Sequence, residues 1–377
     1  MPKLKAIAAR IREFISLSSG AHPTSAATVQ EFNSLALELF ALQFANNVPY
    51  RRLCEARGAR PEVIEHWLHI PAVPAAAFKE LELTCLAPSE RTAVFHSSGT
   101  TEQRPSRHFH NADSLALYEA SLWPWFERHI HADVAIGQAR LAILTPPPGA
   151  APNSSLVHMG ERIRRQCRAG GETFLGSVGA DGAWSLDFAR AEAVLRSALA
   201  AQQRVVLLGT AFNFVHLLDN FVSRGLRLEL PVGSVVMETG GYKGRSRELP
   251  KAELHTLITR TLGVSRAQII CEYGMSELSS QAYDGVAGSP STKDDARWLH
   301  FPPWARVQII SPETGREVAE GETGLVRIFD LANVFSVLAL QTEDLAIRRG
   351  AGFELLGRAV AAEPRGCSLM ATERIAD

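Results

Sequence analysis

The sequence is poor in the features that mark several large protein classes. Its five cysteines (Cys54, Cys85, Cys167, Cys271 and Cys367) are odd in number, far apart and without a C-x-x-C pair. That argues against a disulfide framework or a zinc finger and points to a reducing, cytoplasmic compartment. No apolar run approaches the ~20 residues that a bilayer-crossing helix requires. The N-terminus mixes apolar with basic residues and carries Glu13, so the apolar centre of a signal peptide is missing. Charge is balanced, 39 Lys and Arg against 40 Asp and Glu, and scattered, which leaves no electrostatic footprint for nucleic acid or an anionic membrane. Neither a GxxxxGK[ST] loop, a GxGxxG after a strand, nor a GxSxG elbow occurs, and a phosphotransferase is accordingly least favoured. There is no internal repeat and no low-complexity tract.

What is present suits a globular chain. At 377 residues and 46% hydrophobic, it is long enough for two domains or one large α/β domain with an appendage. The most distinctive stretch runs Phe95-His96-Ser97-Ser98-Gly99-Thr100-Thr101-Glu102. A short strand over Thr92–Phe95 leads into four hydroxyl residues around one glycine. Such a turn aims O–H and backbone N–H donors at one point, as a polyphosphate requires, although Ser/Thr/Gly clusters are usually plain loops. Arg104 and Arg107 follow closely and offer positive charge.

Hydrophobic spacing divides the chain further. Phe32, Leu35, Leu39 and Leu42 predict a helix over Thr28–Asn46, and a second helix is expected from Pro61 to His69. Ile70-Pro71-Ala72-Val73-Pro74 predicts an extended crossing. A helix over Asp113–Arg128 is expected, with Asp113 as N-cap and a kink at Pro124. Strands over 141–144, 205–208, 233–237 and 268–271 alternate with helices starting near Ser154, Asp187, Phe214 and Pro250. This alternation indicates βα units on a largely parallel sheet, whose strand ends carry ligand-binding loops. Beyond Trp304, segments 307–310, 324–329 and 334–338 predict a small antiparallel region. The expected organisation is a helical lead-in (1–84), an α/β core (85–303), a β-rich subdomain (304–356) and a tail (357–377). His108 with His110, and His129 with His131, form H-x-H pairs, but spacing places no further metal ligand near either.

Four short motifs appear in a fixed order: Ser97-Ser98-Gly99-Thr100-Thr101, Tyr273-Gly274-Met275-Ser276-Glu277, Thr342-Glu343-Asp344 and Gly357-Arg358. Together they resemble the signature blocks of the adenylate-forming superfamily. Phe32-Asn33, Val48-Pro49-Tyr50-Arg51, Phe78-Lys79, Asn153-Ser154-Ser155-Leu156, Gly209-Thr210-Ala211-Phe212 and Arg365-Gly366-Cys367-Ser368-Leu369 narrow the likeness to the LuxE acyl-protein synthetase family, over nearly the whole chain. The resemblance implies an α/β adenylate-forming fold and ATP-dependent activation of a carboxylic, fatty-type acid to an acyl adenylate. It also implies transfer to Cys367 as a thioester, and onward to a partner protein such as an acyl reductase.

By the same resemblance, Ser97, Ser98, Gly99, Thr100 and Thr101 would hold ATP phosphates, and Glu277 would bind Mg2+. Tyr273 would stack on adenine, with Gly240, Gly241, Gly274, Met275 and Ser276 around the base. Asp344 would accept from the ribose hydroxyls, while Arg358 would reach ribose or α-phosphate. Phe212 and Phe214 are candidates to line the acid pocket, although aromatic residues at a strand end are more often core. Arg365 would favour a thiolate at Cys367.

Three departures stand out. Glu102-Gln103-Arg104-Pro105 replaces the usual Gly-x-Pro-Lys, Glu343 replaces a glycine, and no lysine follows Arg358. Lys243 is the substitute cation this leaves. Only 19 residues (377 − 358) follow Arg358, too few for the mobile C-terminal domain of related enzymes, so the chain is expected to lack the full domain. Two alternatives stay open: an acyl- or aryl-CoA ligase in which Cys367 is idle, and a non-catalytic subunit that docks on a reductase or synthase.

Overall fold

The computed structural model describes residues 2–20, 26–97, 104–130, 138–171, 173–180, 182–240, 249–289 and 297–359. Helix α1 (Pro2–Ser18) buries Leu4, Ile7, Ile11, Phe14 and Ile15, which recur at helical spacing. Helix α2 (Ala26–Asn46) buries Phe32, Leu35 and Leu39, as their spacing requires. Asn47 then caps α3 (Val48–Ala56) by accepting from the Tyr50 N–H at 3.2 Å. The helix expected over Pro61–His69 does not form. A turn at 61–63 and a single 3-10 turn at Trp67–His69 take its place. Asn33 of α2 accepts the Trp67 N–H at 2.8 Å, which removes a donor that helix would need. Next come β1 (Val73–Pro74), the short α4 (Ala77–Glu80), and a hairpin of β2 (Ala93–His96) with β3 (Arg107–His110).

Helix α5 (Ala112–Ile130) contains Pro124, as expected, but its cap is Asn111, whose Oδ1 accepts the Ser114 N–H at 2.9 Å. Asp113 instead lies inside the first turn and pairs with Lys5 at 3.0 Å. After β4 (Arg140–Ile143), Ser154 caps α6 (Ser155–Gln166). A hairpin of β5 (Gly176–Val178) and β6 (Trp184–Leu186) precedes α7 (Phe188–Ala200), capped by Asp187. Then follow β7 (Val205–Thr210), α8 (Ala211–Ser223) capped by Thr210, β8 (Val235–Thr239), α9 (Lys251–Leu262), β9 (Ile269–Tyr273) and β10 (Ala282–Tyr283). Strand order is β10-β9-β8-β7-β4, parallel except for β10. Side chains alternate between faces. Leu144, Val205, Leu207, Val236 and Ile269 pack with α7, α8 and α9, whereas Leu141, Ile143, Val206, Leu208, Met237 and Ile270 join the core beneath α5.

A second sheet closes the described chain. Strands β11 (Ala305–Ile310), β12 (Thr323–Asp330), β13 (Ala339–Arg349) and β14 (Gly352–Arg358) are antiparallel, and β1 adds in parallel to β13. The strand expected over Val334–Leu338 is instead a buried turn, because side chains satisfy its backbone. Gln43 donates to the carbonyls of Asn333 (2.8 Å) and Val334 (3.2 Å) and accepts the Leu338 N–H at 2.8 Å. Asn47 donates to the Ser336 carbonyl. Among the described residues no helix is long and apolar enough to cross a membrane.

Candidate functional site

The hairpin β2–β3 brings Ser97, the first residue of the hydroxyl motif, and Ser106 beside the loop that follows β9. Ser97 and Ser106 clasp each other: the Ser106 N–H donates to Ser97 Oγ at 3.0 Å, and the Ser97 N–H to Ser106 Oγ at 3.3 Å. The Ser106 hydroxyl lies 3.4 Å from that of Ser276, which donates to Glu277 Oε2 at 2.9 Å. His108, on β3, donates from Nδ1 to the Ser276 carbonyl at 2.8 Å. Burial pushes the imidazole down to about 4, so the ring is neutral, and a neutral ring facing a carbonyl carries its proton on Nδ1. Three side chains from two distant segments, Ser106, Ser276 and Glu277, thus form one chain ending on a buried carboxylate, with Ser97 and His108 joined to it through backbone groups.

Tyr273, at the end of β9, reaches the second sheet. Its hydroxyl donates to Asp344 Oδ2 at 2.7 Å, and the other carboxylate oxygen faces Arg358 Nε at 3.6 Å. Asp344 and Arg358 are register partners across β13 and β14, and Thr342 Oγ1 accepts the Asp344 N–H at 3.1 Å. The Tyr273 ring packs edge-on against Phe353 and Phe301 and is 7% exposed. Burial first, then the Asp344 charge, raises its phenol and keeps the hydroxyl a donor.

The end of β8 lies in register beside that of β9. Gly240 follows Thr239 with φ +69°, a left-handed turn that glycine takes without strain. Thr239 donates from its hydroxyl to Glu272 Oε2. One layer deeper, Asp330 accepts from Ser279 N and Ser280 N (both 2.8 Å), Ser280 Oγ (2.7 Å) and Ala332 N (3.0 Å). Asn333 donates to the Glu277 carbonyl at 2.9 Å. These bonds pin the loop after β9 onto the antiparallel sheet.

Ser97, Tyr273, Gly274, Met275, Ser276, Glu277, Asp344 and Arg358 are therefore linked through hydrogen bonds, register or adjacency, with Gly240 at the neighbouring strand end. Ser98, Gly99, Thr100, Thr101, Glu102, Gly241, Lys243 and Cys367 lie outside the described residues. Phe214 is not with this group: it is fully buried among the helices on the opposite sheet face, and the half-buried Phe212 packs on His216. Arg104 pairs with Glu80 at 3.5 Å, and Arg107 lies 3.6 Å from Glu82. Ser106, Glu272 and Asp330 were not evident from the sequence. Ser106 stands just past the motif, and only pairing of the hairpin reveals its role.

Comparison with known proteins places this geometry. The family LuxE, acyl-protein synthetase, matches residues 175–376. A long-chain-fatty-acid–luciferin-component ligase of Vibrio harveyi is 23% identical over 340 residues, 88% of this chain and 84% of that protein. The ligase of the same description from Aliivibrio fischeri is 25% identical over 182 residues; that match spans 45% of this chain and 45% of the relative, less than half of its length. Among solved structures, an open conformation of 2-hydroxyisobutyryl-CoA ligase with 2-HIB-AMP and CoA gives a TM-score of 0.61 at 15% identity, covering 89% of this chain and 76% of its own. The same ligase in its thioesterification state gives 0.62, also at 15%, covering 89% and 69%. At these identities the likeness is one of fold, that of the adenylate-forming ligases.

Proposed function

Because this chain belongs to the LuxE acyl-protein synthetase family, we propose that it uses ATP to activate a carboxylic acid of the fatty class, receives the acyl group on Cys367, and passes it to an acceptor protein. A carboxylate is a poor electrophile, and its attack on the α-phosphorus of ATP brings two anions together. The protein must align them and offset their charge while pyrophosphate leaves. The acyl adenylate is a mixed anhydride that has to be shielded from water until a thiolate takes the acyl group and releases AMP.

The observation that carries this reading is the segment Tyr273–Glu277. One end holds Asp344 and the other is bonded to the base of the hydroxyl loop. In this reading Ser97–Thr101 hold the phosphates and Asp344 accepts from the ribose. Arg358, 78% exposed at its side chain, is available to ribose or α-phosphate, and Tyr273 holds Asp344 in place. Glu277 and the Ser276 hydroxyl are hard oxygen donors of the kind Mg2+ prefers. Among the described residues no group of three or more His, Cys, Asp or Glu gathers to hold a metal alone, which suits an ion that arrives on phosphates. Bound there, Mg2+ would neutralise phosphate charge and favour pyrophosphate as the leaving group. The names of both bacterial relatives support a fatty acid.

ATP–pyrophosphate exchange, screened over acids of graded chain length, tests the first step. Exchange with a fatty acid is expected, and silence with every acid would sink the proposal. For the second step, labelled acyl should be trapped on wild type and absent from Cys367→Ser. Equal labelling of both would remove the cysteine, and saturable CoA turnover by Cys367→Ala would make free thiol the acceptor.

A further inference from the structure

We propose that Glu272 is a positioning residue for the nucleotide: its buried carboxyl group clips the end of β8 at Thr239–Gly240 to the end of β9 at Tyr273–Gly274 and so sets the spacing of the two strand ends. The inference rests on the adenylation reading for what the spacing is used for, but the clip itself is a feature of the fold. Glu272 lies on β9 between two neighbours, in register with Thr239 of β8 on one side and with Tyr283 of β10 on the other. Its Oε2 accepts from the Thr239 hydroxyl. Its Oε1 occupies the place where a side chain at residue 274 would go: a Cβ built on Gly274 would stand 2.4 Å from that oxygen. One carboxyl group therefore bonds one strand end and fills the space beneath the other, and any larger residue at 274 would displace it.

The surroundings keep that carboxyl in place. Glu272 is 5% exposed, with Tyr118 of α5 and Tyr283 of β10 close by, while the charge of Glu238 of β8, which meets His255 on the other sheet face, acts on it from across the sheet. The Tyr283 hydroxyl is buried with no hydrogen-bond partner among the described residues. Burial, softened by the Thr239 bond and reinforced by Glu238, moves the acid up to about 7. A neutral carboxyl and a carboxamide accept the Thr239 hydroxyl equally well, so glutamine is the conservative replacement and leucine the disruptive one.

The test uses the full chain with Glu272→Gln, Glu272→Leu and Thr239→Val, the last removing the hydroxyl and leaving the carboxyl. Two readouts are taken: KM and kcat for ATP in pyrophosphate exchange, and amide hydrogen exchange of Glu238–Gly240 and Tyr273–Glu277. Loss of one buried hydrogen bond corresponds to about a tenfold rise in KM for ATP in Glu272→Leu, with kcat within about threefold of wild type. Thr239→Val should move the same way, Glu272→Gln should match wild type, and amide exchange should quicken in those two segments alone. Unchanged KM and unchanged amide exchange in the leucine variant would overturn the clip, as would a glutamine variant as impaired as leucine. Should the leucine variant fail to fold, Thr239→Val decides. If wild type shows no pyrophosphate exchange with any acid, adenylation fails as a reading while hydrogen exchange still rules on the clip.

Discussion

Tyr273 and Asp344 stand 71 positions apart, yet the tyrosine hydroxyl donates to the aspartate at 2.7 Å and couples the parallel sheet to the antiparallel one. Tyr273→Phe keeps the ring between Phe353 and Phe301 and deletes only that bond. A buried hydrogen bond to a charged group contributes about 1.5 to 3 kcal/mol, so urea denaturation should show a loss of that order. Asp344 would also lose its orientation, and KM for ATP should rise more than kcat falls. A variant with wild-type KM would mean that Asp344 needs no such support.

Ser106 offers a sharper separation of structure from activity. Ser106→Ala removes the acceptor for the Ser97 N–H and the contact with Ser276. One such bond is worth about 1 kcal/mol in stability. Pyrophosphate exchange should fall much further, by roughly tenfold or more, because Ser97, the first of the residues proposed to hold the phosphates, loses its tie toward Glu277. Ser185→Ala, which breaks a comparable hydroxyl pair with Ser177 in the exposed β5–β6 hairpin, is the control expected to leave exchange unchanged.

The strands and helices of the parallel sheet were legible because their side chains alternate at period 2 and 3.6, and Asp187 and Ser154 cap where the sequence puts them. What failed was decided by distant partners. Val334–Leu338 has the composition of a strand, but Gln43, some 290 positions away, takes its backbone groups. Asn33 likewise disrupts the helix expected before His69. The site followed the same division. Tyr273, Ser276, Glu277, Asp344 and Arg358 were named from motif order, whereas Ser106, Glu272 and Asp330 carry no local signature and become visible only when strands pair.

Asp330 is the largest of these hidden contributors. It is fully buried and accepts four hydrogen bonds from Ser279, Ser280 and Ala332. Asp330→Ala would strand three backbone N–H groups and a hydroxyl in the interior. A loss of roughly 3 kcal/mol or more is expected in denaturant titrations, and Asp330→Asn should recover part of it by keeping an acceptor. An alanine variant as stable as wild type would show that water enters the node.

Arg358 should behave in the opposite way. Its side chain is 78% exposed and its pairing with Asp344 is long, at 3.6 Å. Surface pairs of this kind contribute at most about 1 kcal/mol. Arg358→Ala should therefore leave the melting temperature within a few degrees of wild type while lowering pyrophosphate exchange, and Arg358→Lys should restore the charge without the guanidinium's geometry. A large fall in melting temperature would reassign the residue to structure.

Glu272 gives stability a pH signature of its own. Burial lifts its acid from an ordinary 4.5 to about 7. Below 4.5 the folded and unfolded chains both hold the proton. Between 4.5 and 7 the unfolded chain releases it while the folded chain retains it, so the stability contributed by this group is lost as pH rises through that window. Above 7 both states are ionised and the loss levels off, at roughly 3 kcal/mol in total. Glu272→Gln cannot titrate, so the difference between wild type and variant, measured by urea denaturation from pH 4 to 8, should slope across the window and flatten above it. Two parallel stability curves would mean that Glu272 titrates as it does in water and that its carboxyl is not held in the interior.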